Sequence, residues 1–375
     1  MRDLNLLFED NSTLTNYRLR IDNARIEYNC VDYPVNDSSI EKIIRFSNYI
    51  IERYRGIGIP IHFTIQEKFV DKLTYIIFEC ICAFLIQNGF PVSITFRRQE
   101  AINIVGAMSS PLLLLFSSRH DNIEKFNSKF NFDIYGHHYR KILTMDDMQG
   151  TDILSRTLDD IADFQKMFEV EDEYRESISE VLVELVGNAG EHGESDCLID
   201  FDIAPNYQKK GEQGEYIGIN IAIVNFSHIL FGTPLKNKIL DNQQLDQRHL
   251  LVKQAYLNHE RYFDLTYTSE DFFTIASFQH KISSRRNNNA TGGTGLTMLI
   301  KSLETRSDAH MCYIQSGFRR FAFLPQFLRY DENGWIGFNS SNNFVSDSPE
   351  KGLFIPSKFF FPGTCYNLNF VMRRI

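Results

Sequence analysis

The sequence predicts a two-domain α/β protein. Its 375 residues can bury two separate cores, and a hydrophobic content of 43% with 23% charged residues is ordinary for a globular chain. Residues 61–96 follow a strand–helix–strand pattern, whereas residues 151–375 place helices first and mostly antiparallel strands afterwards. We therefore expect an α/β domain over residues 1–145 and an α/β sandwich, with its helices on one face, over residues 151–375.

A βαβ unit lies at the centre of the first domain. Asn-Asp-Ser-Ser at 36–39 is a helix start signal, and the apolar spacing from Ile40 to Tyr54 predicts the helix that follows. Ile61–Ile65 and Val92–Phe96 alternate as strands, and Val70–Gln87 between them is a strongly apolar helix. We expect the two strands to be parallel, because a helical crossover joins them.

Residues 63–96 resemble a STAS domain, the fold of anti-sigma antagonists, although any βαβ unit has a similar pattern. The alternative is a generic scaffold or partner-docking domain. Residues 111–116 (PLLLLF) predict a further buried strand or part of a helix. The first domain carries no Gly-rich phosphate loop and no nucleophile motif, so its role stays unknown.

A polar tract at residues 136–150 (GHHYRKILTMDDMQG) predicts the domain boundary. His137 and His138 are adjacent, so they would face opposite ways on a strand, and neither has a carboxylate at helical spacing. We expect exposed loop residues there instead of metal ligands or phosphoacceptors. The second domain would begin with an amphipathic helix over Ile153–Phe168.

The most informative stretch is Glu180–Gly193, with the sequence EVLVELVGNAGEHG. Its apolar residues recur with helical spacing, and Glu180, Glu184, Asn188 and Glu191 form a polar stripe on the same helix. Glu184 and Asn188 lie one turn apart, which suits a hydrated Mg²⁺ that is also held by phosphate oxygens. The two glycines near the end of the helix each cost about 1 kcal/mol. They indicate that something bulky approaches the backbone, although a frayed surface helix is the alternative.

This stretch resembles the N box of the GHKL ATPase superfamily, which includes DNA gyrase B, the large heat-shock chaperones, histidine kinases and MutL. Its NAxEHG ending is most similar to the anti-sigma-factor serine kinases. The resemblance implies an ATP-binding domain of the Bergerat fold over residues 151–375. It implies Glu184 as the catalytic carboxylate that polarises the attacking water or hydroxyl and Asn188 as the Mg²⁺ ligand. It also assigns Glu191 and His192 to nucleotide binding.

ATGGTGLTMLIKSLE at residues 290–304 is the strongest short motif in the chain. Its glycines leave backbone amides free to approach an anion, and the helix that follows directs its positive end at them. The motif resembles the second glycine box of GHKL proteins, although a flexible hinge is the alternative. The residues expected to contact phosphate are Gly292, Gly293, Thr294, Gly295 and Leu296.

Two further positions match family residues that recognise the adenine base of the nucleotide. Pro-Gly-Thr at 362–364 leads into a final strand, and GHKL proteins have a similar Gly-Thr whose Thr, here Thr364, helps to recognise adenine. The family also has D-x-G-x-G after an apolar strand, and its Asp accepts a hydrogen bond from the adenine amino group. Here Asn225 stands in the place of that Asp and Ser227 in the place of the first Gly. Asn accepts through an amide oxygen without a carboxylate's charge, so this departure affects base specificity more than phosphate chemistry.

The remaining elements complete the second domain. Residues 228–292 are long, polar and mixed, which is typical of a lid or insertion. Lys281, Arg285 and Arg286 could bring a cation to the γ-phosphate on closure, or form a solvated basic loop. Strands are expected over Leu198–Ile203 and Tyr216–Val224 (an antiparallel hairpin), Met311–Ile314, Phe321–Leu324 and Tyr366–Val371, with a helix over Leu296–Leu303.

Composition limits the partners and the location. The net charge of −9 argues against broad nucleic-acid binding. The start lacks the features of a signal peptide, and no apolar run reaches about 18 residues, so we expect a cytoplasmic protein without a membrane span. The six scattered cysteines have no CxxC spacing, and Cys80 and Cys82 lie in an apolar helix, which predicts buried reduced thiols.

With ATP and Mg²⁺ as expected cofactors, three functions compete. The lid and the fused first domain favour a Mg-dependent ATPase that acts as a nucleotide-controlled conformational switch. The NAxEHG ending favours a serine/threonine protein kinase of the anti-sigma type. The missing Asp favours a non-hydrolysing nucleotide sensor or interaction module. Each implies a regulatory or effector protein partner and leaves a homodimer open, whereas a histidine kinase is disfavoured because no phosphoacceptor helical hairpin precedes the ATP domain.

Overall fold

The computed structural model describes all residues except 2, 12–16, 18, 23, 98–137, 150–151, 208–211, 242–244, 283–294, 308–311 and 374–375. It is a mixed α/β structure with two β-sheets. The helices are α1 (Leu6–Glu9), α2 (Asp37–Tyr54), α3 (Lys72–Gln87), α4 (Met145–Met148), α5 (Ile153–Lys166), α6 (Asp172–Glu191), α7 (Thr233–Leu240), α8 (Gln247–His259), α9 (Ser269–Ser277) and α10 (Gly295–Arg306). The strands are β1 (Arg20–Asp22), β2 (Arg25–Cys30), β3 (Ile61–Ile65), β4 (Val92–Phe96), β5 (His138–Leu143), β6 (Cys197–Tyr207), β7 (Tyr216–Asn225), β8 (Tyr313–Ala322) and β9 (Phe354–Arg373).

The first sheet has the strand order β1-β2-β3-β4. β3 and β4 are parallel and are joined by α3, which confirms the predicted βαβ unit and both strand boundaries. β2 is also parallel to β3, and β1 pairs with β2 in an antiparallel hairpin. α2 begins with a capping box in which the side chain of Asn36 accepts from the amides of Ser38 and Ser39, as the start signal at 36–39 predicts. The PLLLLF segment lies outside the described residues.

The second sheet is antiparallel, with the order β5-β6-β7-β9-β8. The predicted hairpin is β6 and β7, whereas β8 is one continuous strand where the sequence predicted two short ones. β9 is much longer than the strand predicted over Tyr366–Val371. β5 pairs with β6, so this sheet begins at residue 138 and the predicted boundary near residue 145 falls after its first strand.

Both faces of the second sheet are covered. Along β6 the apolar residues Cys197, Ile199 and Phe201 pack in one core with α5, α6 and α10. Because side chains alternate between faces, Asp200 and Asp202 point the other way, toward α3. Helices α5, α6 and α10 of the predicted sandwich pack on one face, and the helix on the other face, α3, comes from the first domain. Carboxylates along one face of a strand usually indicate that this face is exposed to solvent. Here α3 covers that face.

A buried ionic cluster attaches α3 to this charged face. Lys72 Nζ of α3 lies 2.5 Å from Oδ1 of Asp200 and 2.5 Å from Oδ1 of Asp202. Arg140 of β5 forms ion pairs with Asp200 and with Glu79 of α3. All five side chains are at most 5% exposed. Removal of one partner would leave a charge buried without compensation, which typically costs about 3–5 kcal/mol. The cluster therefore fixes how α3 lies on the sheet.

The cluster places two cations against three carboxylates. Burial raises the pKa of Glu79 to about 8, although Arg140 beside it acts in the opposite direction. Burial would also raise the pKa of Asp200, but Arg140, His138 and Lys72 hold it well below its usual range. Burial therefore favours the protonated form of Glu79, and with that proton the cluster would set two cations against two carboxylates.

His138 does not lie in an exposed loop, as the sequence predicted. It is buried at the start of β5, and its Nε2 lies 2.9 Å from Oδ1 of Asp200. Burial lowers its pKa, although Asp200 acts to raise it. The prediction of an exposed loop took into account only carboxylates at helical spacing. The carboxylate that pairs with His138 comes instead from the neighbouring strand. His137 lies outside the described residues.

Residues 228–292, which the sequence predicts as a lid, are for the most part a packed helical insertion. They form α7, α8 and α9, and aromatic side chains such as Phe272, Phe273 and Phe278 are fully buried. Phe272 stacks on Phe344, from the connection between β8 and β9, with ring centroids 5.7 Å apart. This part of the chain therefore belongs to the core, and residues 283–294 lie outside the described residues.

Within the described residues, none of the helices is both long and apolar enough to span a bilayer. All six cysteines are buried as free thiols. This confirms the burial predicted for Cys80 and Cys82.

The protonation of Glu79 predicts a specific loss of stability at alkaline pH. Its pKa is about 8 in the folded protein against an ordinary value of 4.5. Its contribution is therefore fully present below pH 4.5 and is lost as the pH rises through 8. The free energy of unfolding of the wild type should fall from pH 7 to pH 9, and that of Glu79→Gln should fall less. Urea denaturation at both pH values measures this, and equal losses in the two proteins would contradict it.

Candidate functional site

A cleft opens where the ends of α6 and β7 meet the start of α10. About 890 Å³ lies between its walls, a volume that includes space open to solvent. Polar groups from α6, β7 and β9 form part of its lining. The apolar side chains of the lining are Leu185, Ile229, Leu230, Phe231, Leu235, Ile282 and Tyr366.

Helix α6 presents Glu184 and Asn188 to the cleft. Its apolar residues, among them Val181 and Leu185, are buried against the sheet and α10. Residues four apart stand one above the other on a helix, so burial of the apolar face fixes the direction of this polar pair. Both side chains are half-buried, as suits groups that meet a ligand at the edge of a core.

The start of α10 lies directly against Glu184. A Cβ atom built on Gly295 would lie 1.6 Å from Cγ of Glu184 and 2.5 Å from its Oε1. No side chain fits at this position unless Glu184 moves. The carboxylate and the positive end of a 12-residue helix therefore share one end of the cleft.

Asn225, the last residue of β7, belongs to the polar part of the lining. It is 4% exposed, and its Nδ2 donates to Oγ of Ser195 at 3.0 Å. Gly193 lies between α6 and this pair, where a Cβ would approach the carbonyl oxygen of Ala189 to 2.7 Å and Nδ2 of Asn225 to 2.9 Å. The glycine thus permits the end of α6 to contact the end of β7.

Ser227 organises the turn after β7, where the resemblance leads one to expect glycine. Its Oγ donates to the carbonyl oxygen of Gly193 at 2.5 Å and accepts from the amide of Ile229 at 2.9 Å. Gly232 then turns the chain into α7 with φ +83°, and this left-handed conformation favours glycine. The turn is therefore held by a hydroxyl group and a later glycine.

Thr364 lies opposite Asn225 in the pairing of β7 with β9, and it lines the cleft. Gly363 before it has φ +89°, and a Cβ there would lie 2.4 Å from the carbonyl oxygen of Asn225. The Pro-Gly-Thr motif therefore lies tightly against the end of β7, where β9 pairs with it. This pairing places Thr364 beside Asn225 in the lining of the cleft.

The structure brings together most of the described residues that the sequence singled out. Those that line the cleft are Glu184, Asn188, His192, Asn225, Gly295, Leu296 and Thr364. Glu191 instead lines a second groove along α6, with Glu184, Asn188 and apolar residues such as Met145, Met148 and Leu154. Gly292, Gly293, Thr294, Arg285 and Arg286 lie outside the described residues. Lys281 is exposed, and its neighbour Ile282 lines the cleft.

The sequence did not predict the apolar lining of the cleft or the residue that supports Asn225 from outside the lining. Leu230 and Phe231 follow the polar turn after β7, and nothing in their local pattern distinguishes them from loop residues. Ser195 supports Asn225 from 30 residues away along the chain. A search for hydroxyl residues just after the N box could have found Ser195, because the ends of α6 and β7 meet.

The segment that contains α6 is strongly acidic. Residues 144–194 hold 15 acidic and three basic side chains, whereas the whole chain has a net charge of −9. No Lys or Arg is found among the described residues that line the cleft. A polyanion there needs a cation, or amides at a helix start, to offset its charge.

The described residues contain no group of three or more His, Cys, Asp or Glu that could hold a metal ion. Asn188 and Glu184 are instead a pair of oxygen-bearing side chains at a polar opening. Mg²⁺ usually takes one or two such protein oxygens and completes its shell with water and phosphate oxygens. The pair therefore fits Mg²⁺ that arrives with a phosphate ligand.

Comparisons with protein-family models, with curated proteins and with solved structures found no match to this chain. The GHKL resemblance, and the weaker STAS resemblance, therefore rest on the sequence motifs quoted above.

The contact between Gly295 and Glu184 predicts opposite effects for two Gly→Ala substitutions. Gly295→Ala should lower the free energy of unfolding by about 1–3 kcal/mol, because the new Cβ would overlap Glu184. Gly187→Ala, in α6, should raise it by up to about 1 kcal/mol, because its Cβ meets nothing closer than 3.8 Å. Urea denaturation measures both. A stabilised Gly295→Ala protein would show that the contact imposes no constraint.

Proposed function

We propose that the cleft binds Mg-ATP and hydrolyses it. The observation that carries this proposal is the convergence of separate sequence motifs on one cleft. Residues of the N box, the end of β7, the glycine box and the Pro-Gly-Thr motif line the same space. They come from widely separated parts of the chain, in the order that the GHKL resemblance implies. An α/β sandwich of the Bergerat type is the fold that we propose for this half.

The adenine ring would occupy the part of the cleft between Asn225, Thr364 and the apolar lining. Leu230 and Phe231 offer apolar surface, and Asn225 and Thr364 offer a few polar groups. Small-molecule sites commonly combine an apolar lining with a small number of polar groups that fix orientation.

The phosphates would lie at the start of α10. The helix start favours anions through its free amides and its dipole. Asn188 would hold Mg²⁺ together with phosphate oxygens, and Mg²⁺ when bound would offset the phosphate charge that the acidic surroundings disfavour. Glu184 stands at the same end of the cleft, where it would orient a water molecule toward the γ-phosphate. Hydrolysis by this arrangement is positioning plus charge stabilisation.

The insertion supports the switch form of this function. Gly232 and Leu235 of the α7 segment line the cleft, and α7 belongs to the buried helical insertion. A nucleotide would therefore contact an element whose other side packs in the core. Nucleotide-dependent contacts could pass through α7 to a partner protein or a second copy of the chain.

Protein phosphorylation is the second candidate function, and one observation favours it. Glu184 and Asn188 line the second groove as well as the cleft, so Glu184 is accessible from both. A hydroxyl group of a partner protein could approach through this groove while the nucleotide fills the cleft. Label transferred from [γ-³²P]ATP to a partner protein supports this function, whereas release of inorganic phosphate alone supports the ATPase.

Two substitutions in α6 separate binding from hydrolysis. Glu184→Ala should bind Mg-ATP with nearly unchanged affinity and lose turnover by about 10²–10⁴-fold, because it removes the group that orients the nucleophile. Asn188→Ala should lose the Mg²⁺-dependent part of the affinity, because it removes the proposed ligand. Calorimetric titration and phosphate release with and without Mg²⁺ measure these effects.

Glu180→Ala is the matched control, because Glu180 is exposed on the same helix and lies one turn before Glu184. It should leave binding and turnover unchanged. Turnover that survives in Glu184→Ala would remove Glu184 from catalysis. Absence of ATP binding by the wild type would refute the proposed function and leave a fold used for protein contacts.

A further inference from the structure

The second groove has an apolar part and an acidic part. It is lined by residues of α6 from Val183 to Glu191, by Met145 and Met148 of α4, and by Leu154 of α5. The step from Val183 to Glu191 along a helix rises about 12 Å. The groove is therefore long enough for about two helical turns, or about four extended residues, of another chain.

The apolar part is presented by α4 and the start of α5. Met145 and Met148 lie three residues apart, so they share one side of α4. The start of α4 is held in place because the amide of Met145 donates to Oδ1 of Asp196 at 3.0 Å. Met145, Met148 and Leu154 are all half-buried, so each leaves apolar surface open to a ligand. Methionine side chains are flexible and adapt to the shape of an apolar partner.

Two glycines of α6 keep the groove open. Gly187 and Gly190 lie within the helix, where each costs about 1 kcal/mol relative to alanine. A Cβ on Gly190 would lie 3.0 Å from Sδ of Met148, and a Cβ on Gly187 would lie 3.8 Å from Leu154. Side chains at these two positions would therefore narrow the groove. Their absence lets the backbone of another chain approach α6.

The charges of the groove select the sign of its occupant. Its ionisable lining residues are Glu184 and Glu191, and no Lys or Arg is found among the described residues that line it. Asp146 and Asp147 of α4 are exposed beside it. An acidic occupant would be repelled, whereas one that carries Lys or Arg would be attracted. The lining therefore fits a segment that combines apolar side chains with cations.

We propose that the groove docks a short, basic and apolar segment of a partner protein, and that a docked cation lowers ATP turnover by pairing with Glu184. The docking stands without a nucleotide, whereas the effect on turnover rests on the proposed function. Glu184 lines both the groove and the cleft. A cation that pairs with it from the groove would withdraw the carboxylate from the water molecule that it would orient in the cleft.

The test uses three fluorescein-labelled peptides of about eight residues, a length that fills two helical turns. One is built from Lys and Leu, one from Glu and Leu, and one from Lys and Ser. In fluorescence anisotropy without nucleotide, the Lys/Leu peptide should bind at least about tenfold more tightly than either of the others. Its binding should weaken as the ionic strength rises from about 0.05 M to about 0.5 M.

The same Lys/Leu peptide should inhibit phosphate release from ATP. The concentration for half inhibition should match the concentration for half-maximal binding, because one docking event causes both effects. The peptide has no hydroxyl side chain, so its own phosphorylation cannot account for the fall.

Variants of the groove locate the binding. Met148→Gln should weaken it, because it removes an apolar contact, whereas Met167→Gln is the matched control. Met167 is 67% exposed and lies in the lining of neither space. Glu191→Gln should also weaken binding, and Glu180→Gln, on the exposed part of the same helix, should not. Gly187→Ala should weaken binding although it should stabilise the fold, so loss of structure could not explain that result.

Other outcomes would overturn the proposal. Equally tight binding of the Glu/Leu peptide would show that charge does not select the occupant. Equally tight binding of the Lys/Ser peptide, or binding that survives in both Met148→Gln and Gly187→Ala, would place the peptide on the acidic surface outside the groove. Self-association of the chain that Met148→Gln abolishes would show that a second copy fills the groove.

The two parts of the proposal fail in different ways. Full turnover at a saturating peptide concentration would show that the docked cation does not reach Glu184. A wild type that hydrolyses no ATP would refute the proposed function and with it the effect on turnover, whereas anisotropy would still decide whether the groove docks the basic segment.

Discussion

The cleft depends on the absence of a side chain at three positions. A Cβ on Gly295 would overlap Glu184, one on Gly193 would lie 2.9 Å from Nδ2 of Asn225, and one on Gly363 would lie 2.4 Å from the carbonyl oxygen of Asn225. These close approaches let a helix end, a strand end and a helix start meet in one place. Polar groups that are far apart in the chain can then act on a single ligand.

The sheet behind the cleft is held from both sides. One face packs on the helices that carry Glu184 and Gly295, and the other receives α3 through the charges of Lys72, Asp200 and Asp202. Even-numbered residues of β6 and β7, such as Leu198 and Val224, share a core with α2 and α3. Helices α2 and α3 therefore help to support β7, the strand that ends at Asn225.

Local patterns predicted the elements whose signals lie within a few residues. The alternation in Ile61–Ile65 and the helical spacing around Glu184 fall in this group. Contacts between distant segments could not be predicted in this way. The partner of His138 is Asp200, a carboxylate 62 residues later on the neighbouring strand. The local pattern predicts that Asp200 faces solvent, whereas α3 covers it in the structure. Glu191 belongs to the polar stripe of α6 that the sequence predicts, but it lines the second groove. The stripe is wider than the cleft, so not all of its residues line the cleft.

The most direct test is a crystal structure of the protein with Mg²⁺ and a non-hydrolysable ATP analogue. We expect the base to lie between Asn225 and Thr364, the γ-phosphate to lie at the start of α10, and Mg²⁺ to bind Oδ1 of Asn188. An analogue bound elsewhere, or a cleft that stays empty at a saturating concentration, would contradict the claim that this cleft is a nucleotide site.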